Sequence, residues 1–175
     1  LFHEIDILRK AKKDIQSSYQ DAINLICLFI TQKTTELLDG KIGVFSFAKL
    51  SFELEFLLTH SKEFFTKTSW EKIEEAEDSL RGFCQKLCQH IAPLSKFLTH
   101  RDFHSKNIMR KEGSLFVIDF QDIMLGSASY DLISLCFDPY VSLPIKERLD
   151  IFTQGLKQIS KELSSEEKTQ LATDN

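Results

Sequence analysis

Proline, glycine and tryptophan are scarce: the 175-residue chain has three Pro, six Gly and one Trp. That excludes collagen-like and low-complexity architectures, which need far more Gly and Pro. Long hydrophobic runs are missing as well. The longest candidate is Ile26 to Ile30, far short of the roughly 20 apolar residues that span a bilayer, and no signal peptide opens the chain. There is no excess of basic charge. The formal net charge is -4, so the electrostatic footprint of a nucleic-acid binder is lacking. Paired cysteine spacing is lacking too. Cys27, Cys84, Cys88 and Cys136 lie in apolar, helix-like stretches and read as reduced, buried small hydrophobes. Cys84 and Cys88 share a helix face near His90, but a zinc site needs tighter ligand pairs and a fourth partner, so core packing is the expectation. The exclusions leave a protein with neither membrane nor nucleic acid as partner and a cytoplasmic location.

What is present is the material of an ordinary folded domain, 42% hydrophobic and 27% charged, with fifteen Phe to build a core from aromatic rings. A chain of this length buries roughly two-thirds of its unfolded surface, so one domain over residues 1–175 is expected. Its first part, 1–96, reads as a helical scaffold. Ile15, Ala22, Ile23, Ile26, Cys27 and Ile30 recur at helical intervals. After Asp39-Gly40 and Gly43 a second helix is expected from about Phe47 to Phe65, with Phe52 and Phe56 on its inner face. Thr68 and Glu71 form a capping-box signature ahead of Ile73, Ala76, Leu80, Phe83, Cys84, Leu87 and Ile91, and Pro93 stops that helix. The acidic run Glu71, Glu74, Glu75, Glu77 and Asp78 reads as a solvated face.

The character changes over residues 97–126. Phe97-Leu98-Thr99 leads into a polar loop, His100 to Asn107. Ile108-Met109, a turn around Lys111-Glu112-Gly113, and Leu115 to Ile118 follow as a small β-hairpin. Residues 127–175 return to helix, with Leu132, Leu135 and Cys136 on one side, then Ile145, Leu149, Phe152, Leu156 and Ile159 after Pro144. Ser164 and Glu167 form a second capping-box pair.

The hairpin gives the chemistry its geometry. If the turn is centred on Gly113, Asn107 lies six residues before it and Asp119 six after, so the two face each other on paired strands. Facing residues have Cβ atoms about 4.5–5.5 Å apart, close enough for two oxygen-bearing side chains to share a divalent cation. Mg²⁺ held by one or two protein ligands completes its shell with water and substrate phosphates, which points to nucleotide chemistry. Asp102, five residues before Asn107, is then in reach to accept a hydroxyl proton.

His100-Arg101-Asp102-Phe103-His104-Ser105-Lys106-Asn107 resembles the H-x-D-x-x-x-x-N catalytic loop shared by protein kinases and aminoglycoside phosphotransferases. Ile118-Asp119-Phe120-Gln121-Asp122 resembles the metal-binding segment that follows, and Tyr130-Asp131-Leu132 the helix start after that. His104 and Gln121 match the small-molecule branch, and the combination is most similar to bacterial amino-sugar kinases acting on N-acetylmuramate or N-acetylglucosamine. The resemblance implies an α+β, mainly α-helical fold: the C-terminal lobe of a protein-kinase-like enzyme, with the hairpin carrying the catalytic loop. It implies Asp102 as catalytic base, His104 near the transferred phosphate, and Asn107 and Asp119 as Mg²⁺ ligands. It also implies His100 and Asp131 as structural supports, Arg101 and Asp122 facing the substrate, ATP as phosphoryl donor, and a small hydroxyl acceptor as partner.

One element of that pattern is missing. No Gly-rich strand-turn-strand followed by Lys precedes residue 97. The chain also starts at Leu1 rather than Met and stops as a helix begins. Truncation is therefore expected, with the nucleotide-binding N-terminal lobe absent and the fragment unable to turn over ATP alone. Two rival expectations stand beside this one: a non-catalytic helical interaction domain derived from a kinase, and a metal-dependent phosphohydrolase using Asp119 and His104.

Overall fold

The computed structural model describes residues 15–32, 42–61, 63, 76–165 and 167. Among them the first helix, α1, runs over Gln16–Ile30. Its three- and four-residue spacing puts Tyr19, Ala22, Ile23, Ile26, Cys27 and Ile30 on one row, and all six are buried. Each large side chain so removed from water is worth about 1.5–3 kcal/mol, and the row closes against two later helices. These are α4 (Tyr130–Cys136) and α5 (Ile145–Glu162). Leu132, Leu135 and Cys136 of α4 are the buried face the sequence predicts.

The inward row of α5 keeps Ile159 and the partly buried Phe152 of the predicted beat and departs from it elsewhere. Ile151, Gly155 and Ile159 point in, whereas Ile145, Leu149 and Leu156 are exposed. Gly155 explains the choice, because a β-carbon there would stand 2.5 Å from Leu132 Cδ1. The missing side chain lets α4 and α5 approach closely, and the row that faces inward is the one containing the glycine. Ser164 and Glu167 make the predicted capping box: the Glu167 N–H donates to Ser164 Oγ at 3.2 Å, and the Ser164 N–H donates to Glu167 Oε2 at 2.6 Å.

Among the described residues five short strands form two sheets. β1 (Gly43–Val44) pairs in parallel with β5 (Met124–Gly126), which pairs antiparallel with β2 (Phe97–Thr99). All of β2 is buried, and the Thr99 hydroxyl donates to the Met124 carbonyl at 2.9 Å. Strands of two or three residues are too short for alternation to reveal, and only the second sheet was legible in advance. That second sheet is the predicted hairpin, β3 (Ile108–Lys111) against β4 (Ser114–Val117).

Its register corrects the sequence expectation. Ile108 pairs with Val117 and Lys111 with Ser114, so the turn is the two residues Glu112-Gly113 and its centre lies between them. Both have positive φ, 51° and 84°, as a two-residue type I′ turn demands. Asn107 therefore stands opposite Ile118, whose N–H donates to the Asn107 carbonyl at 3.0 Å. Asp119 therefore lies one residue beyond the position opposite Asn107, where a turn centred on Gly113 would have put it.

Helices α2 (Phe47–Ser61) and α3 (Glu77–Ile91) pack against each other. The predicted inner face of α2 is outward. Phe52 and Phe56 are 65% and 56% exposed, and no residue of this helix is buried. In α3 only Cys88 is buried, while Phe83 and Leu87 are exposed. All four cysteines are free thiols, with Cys84 half-buried rather than buried. An Arg81 guanidinium clamps the pair by bonding Glu77 at 2.6 Å on its own helix and Glu55 on α2. The Thr68–Glu71 capping box and the acidic residues 71, 74 and 75 lie outside the described residues.

Candidate active site

The loop between β2 and β3 is built around a buried histidine. The His100 side chain is fully buried, and its Nε2–H donates to the Ile118 carbonyl at 3.0 Å, tying the loop to the end of the hairpin. Its ring meets Phe29 and Phe103 edge-on at 6.1 and 6.0 Å. Burial holds the imidazole below its ordinary value of 6.5, against the Ile118 hydrogen bond and the nearby Asp102 and Asp119 carboxylates, which pull the other way. The ring braces the loop.

Two buried carboxylates hold the loop by its backbone. Asp131, in the first turn of α4, accepts the His100 N–H at 2.7 Å and the Arg101 N–H at 3.0 Å. Asp138, just past the same helix, accepts the Ser105 N–H at 2.8 Å and the Tyr140 N–H at 2.7 Å. Each is only 1% exposed, so the N–H groups they satisfy would otherwise be costly to bury. Burial raises the Asp131 carboxyl to about 6, partly offset by those two N–H donors.

Sequence reasoning missed Asp138 altogether. Its one visible signal was an Asp directly before Pro139, where only a helix stop was read. Arg148, also missed, braces the segment that carries Asp138. Its guanidinium donates to the carbonyls of Cys136 at 2.8 Å, Val141 at 2.6 Å and, through Nε, Leu143 at 3.0 Å.

Between the two clamps the loop presents Asp102 at the surface. Its carbonyl accepts the His104 N–H at 2.9 Å and the Asn107 side-chain amide at 3.1 Å. The second bond fixes the Asn107 carboxamide to the loop by its nitrogen. His104 is half-buried, with no hydrogen-bond partner at Nδ1, and its ring meets Tyr140 at 5.2 Å. The Lys106 ammonium lies 3.6 Å from the centroid of the same Tyr140 ring.

Asp119 leaves β4 at φ 68°, a left-handed conformation that turns the chain out of the strand. It is exposed, and one carboxylate oxygen accepts the Gln121 amide at 2.6 Å. Arg101 and Asp122 come within 4.0 Å of each other, and Arg101 also reaches Glu53 on α2 at 3.1 Å. Among the described residues no group of three or more His, Cys, Asp or Glu converges as a metal cluster, including the Cys84, Cys88 and His90 trio. A carboxamide oxygen and one carboxylate from Asn107 and Asp119 are hard donors of the kind Mg²⁺ takes, and they suit an ion that keeps most of its shell for water and phosphate.

Residues 47–160 match the family described as phosphotransferase enzyme family. The N-acetylmuramate/N-acetylglucosamine kinase of Neisseria meningitidis serogroup B is 41% identical over 56 residues, which is 32% of this chain and 17% of that protein. The proteins of the same description from Pseudomonas putida and Pseudomonas aeruginosa are 31% identical over 78 residues and 34% over 64. Those matches cover 45% and 37% of this chain, and 20% and 19% of the two relatives. The matched segments thus span about a fifth of each relative's length.

Proposed function

Because the chain belongs to the phosphotransferase enzyme family, we propose that its parent protein transfers the γ-phosphoryl group of ATP to a hydroxyl of a small molecule, an amino sugar. The observation that supports this best is the clamped loop. Asp102 stands exposed between two backbone anchors, Asp131 and Asp138, and its carbonyl accepts the Asn107 side-chain amide at 3.1 Å. The sugar class comes from the printed descriptions of the three relatives.

In this reading Asp102 accepts the proton of the acceptor hydroxyl as that oxygen attacks the γ-phosphorus and the bond to the ADP oxygen breaks. Asn107 and Asp119 hold Mg²⁺, which when bound supplies neutralisation of phosphate charge. His104 stands near the transferred group, and Arg101 and Asp122 face the acceptor. His100 is buried and holds the loop to the hairpin through its bond to the Ile118 carbonyl, so its role is structural. The ATP phosphates are gripped by residues outside this sequence, since no Gly-rich turn with a following Lys precedes residue 97. The chain alone is then expected to fold without turning over ATP.

Product analysis tests the reaction. The full-length protein, given ATP, Mg²⁺ and N-acetylglucosamine or N-acetylmuramate, is expected to release ADP and a phosphorylated sugar in equal amounts. Inorganic phosphate released without a phosphosugar would instead establish the phosphohydrolase.

A further inference from the structure

Arg101 has φ 77° and directly precedes Asp102. A residue with a β-carbon pays for that left-handed conformation and keeps it only where its surroundings over-determine it. Four contacts do so here. The Arg101 N–H is bound to Asp131 Oδ1 at 3.0 Å, and the guanidinium carbon lies 5.2 Å from the Phe45 ring centroid. Nη1 is 4.0 Å from Asp122 Oδ1, and Nη2 donates to Glu53 Oε1 at 3.1 Å.

Three of these partners belong to α4 or to segments beside the three-stranded sheet: Asp131 on α4, Asp122 just before β5, and Phe45 beside β1, stacked at 5.0 Å on Tyr130. Glu53 belongs to neither. It comes from the middle of α2, 48 positions earlier in the chain, on a helix that buries none of its residues. Its Oε1 also takes Lys49 Nζ at 3.2 Å, so the carboxylate is oriented from its own helix and reaches Arg101 from outside the core. Of the four contacts it is the shortest side-chain ion pair, with a charge-assisted hydrogen bond to a planar donor.

We propose that Glu53 is a positioning residue: its carboxylate holds Arg101 in the left-handed conformation and so fixes the direction in which Asp102 leaves the loop. The inference rests on Asp102 being the base. It carries a distinct signature, because a strut that orders the base changes the rate of transfer and leaves the affinity for either substrate alone. Glycine takes a left-handed φ without cost, so an Arg101→Gly background has no need of the strut.

The test uses the full-length protein with N-acetylglucosamine and ATP. Glu53→Gln is expected to lower kcat about tenfold, with KM for sugar and for ATP within about twofold of wild type. Glu53→Asp recovers part of the loss. In the Arg101→Gly background, adding Glu53→Gln produces no further fall. Amide exchange over residues 100–107 reads the strut without turnover and is expected to quicken in Glu53→Gln. A kinase whose kcat and exchange are both unchanged in Glu53→Gln overturns the inference, and so does a loss that falls on KM or adds to that of Arg101→Gly. Quickened exchange in a protein that phosphorylates neither sugar upholds the strut and removes the proposed reaction.

Discussion

Helices α1, α4 and α5 and the pair α2–α3 are written in the same language of apolar residues at helical period, yet only the first group forms a core. Ile23, Ile26, Leu132 and Leu135 are at most 2% exposed, whereas Phe52, Phe56 and Phe83 on the pair are each more than half exposed. Periodicity therefore identifies the face a helix would bury, and leaves open what covers it. The chemistry follows the same division. Both backbone clamps, Asp131 and Asp138, belong to the α4 end of the core, and among the described residues the pair reaches the site through Glu53.

The sharpest way to break that comparison is to truncate one side chain in each region. Leu132→Ala leaves a hole in a fully packed site and is expected to cost about 3–4 kcal/mol in denaturant titration. A loss under about 1 kcal/mol would mean that α4 is not core. A smaller effect comes from pH. The folded Asp131 carboxyl titrates near 6 against an ordinary 3.8, so the folded protein holds that proton more tightly than the unfolded chain. The group's contribution to stability thus falls as pH rises from about 4 to about 6, by up to about 3 kcal/mol, and is flat above. Wild type measured against Asp131→Asn across that window should show the decline, and parallel curves would place the carboxyl in an ordinary environment. The smallest effect is expected from Phe83→Ala, within about 0.5 kcal/mol, since that ring is 62% exposed. A cost near that of Leu132→Ala would show that the pair is covered in solution.

Much of the core and of the loop was legible in sequence. The α1 row, the α4 face and the Ser164–Glu167 cap follow from local spacing, and local spacing is what a sequence displays directly. The hairpin was legible as two strands but its register was not. Placing the turn at Gly113 rather than across Glu112-Gly113 moves the partner of Asn107 by one residue, and only the backbone angles reveal that both turn residues are left-handed. Asp102, Asn107 and Asp119 stood out as a constellation because they lie within one short stretch. Asp138 and Glu53 did not, since each meets the loop from 33 or 48 positions away and neither lies in a pattern that spacing could expose.

The central claim is that Asp102, held out by the clamped loop, takes the proton of the acceptor hydroxyl. Single-turnover phosphoryl transfer by full-length Asp102→Asn, with N-acetylglucosamine or N-acetylmuramate as acceptor, tests it most directly. The variant keeps the size of the side chain and removes its basicity. The expected result is a rate lower by about 10²–10⁴-fold with ATP affinity little changed. A rate within a few-fold of wild type would contradict the assignment.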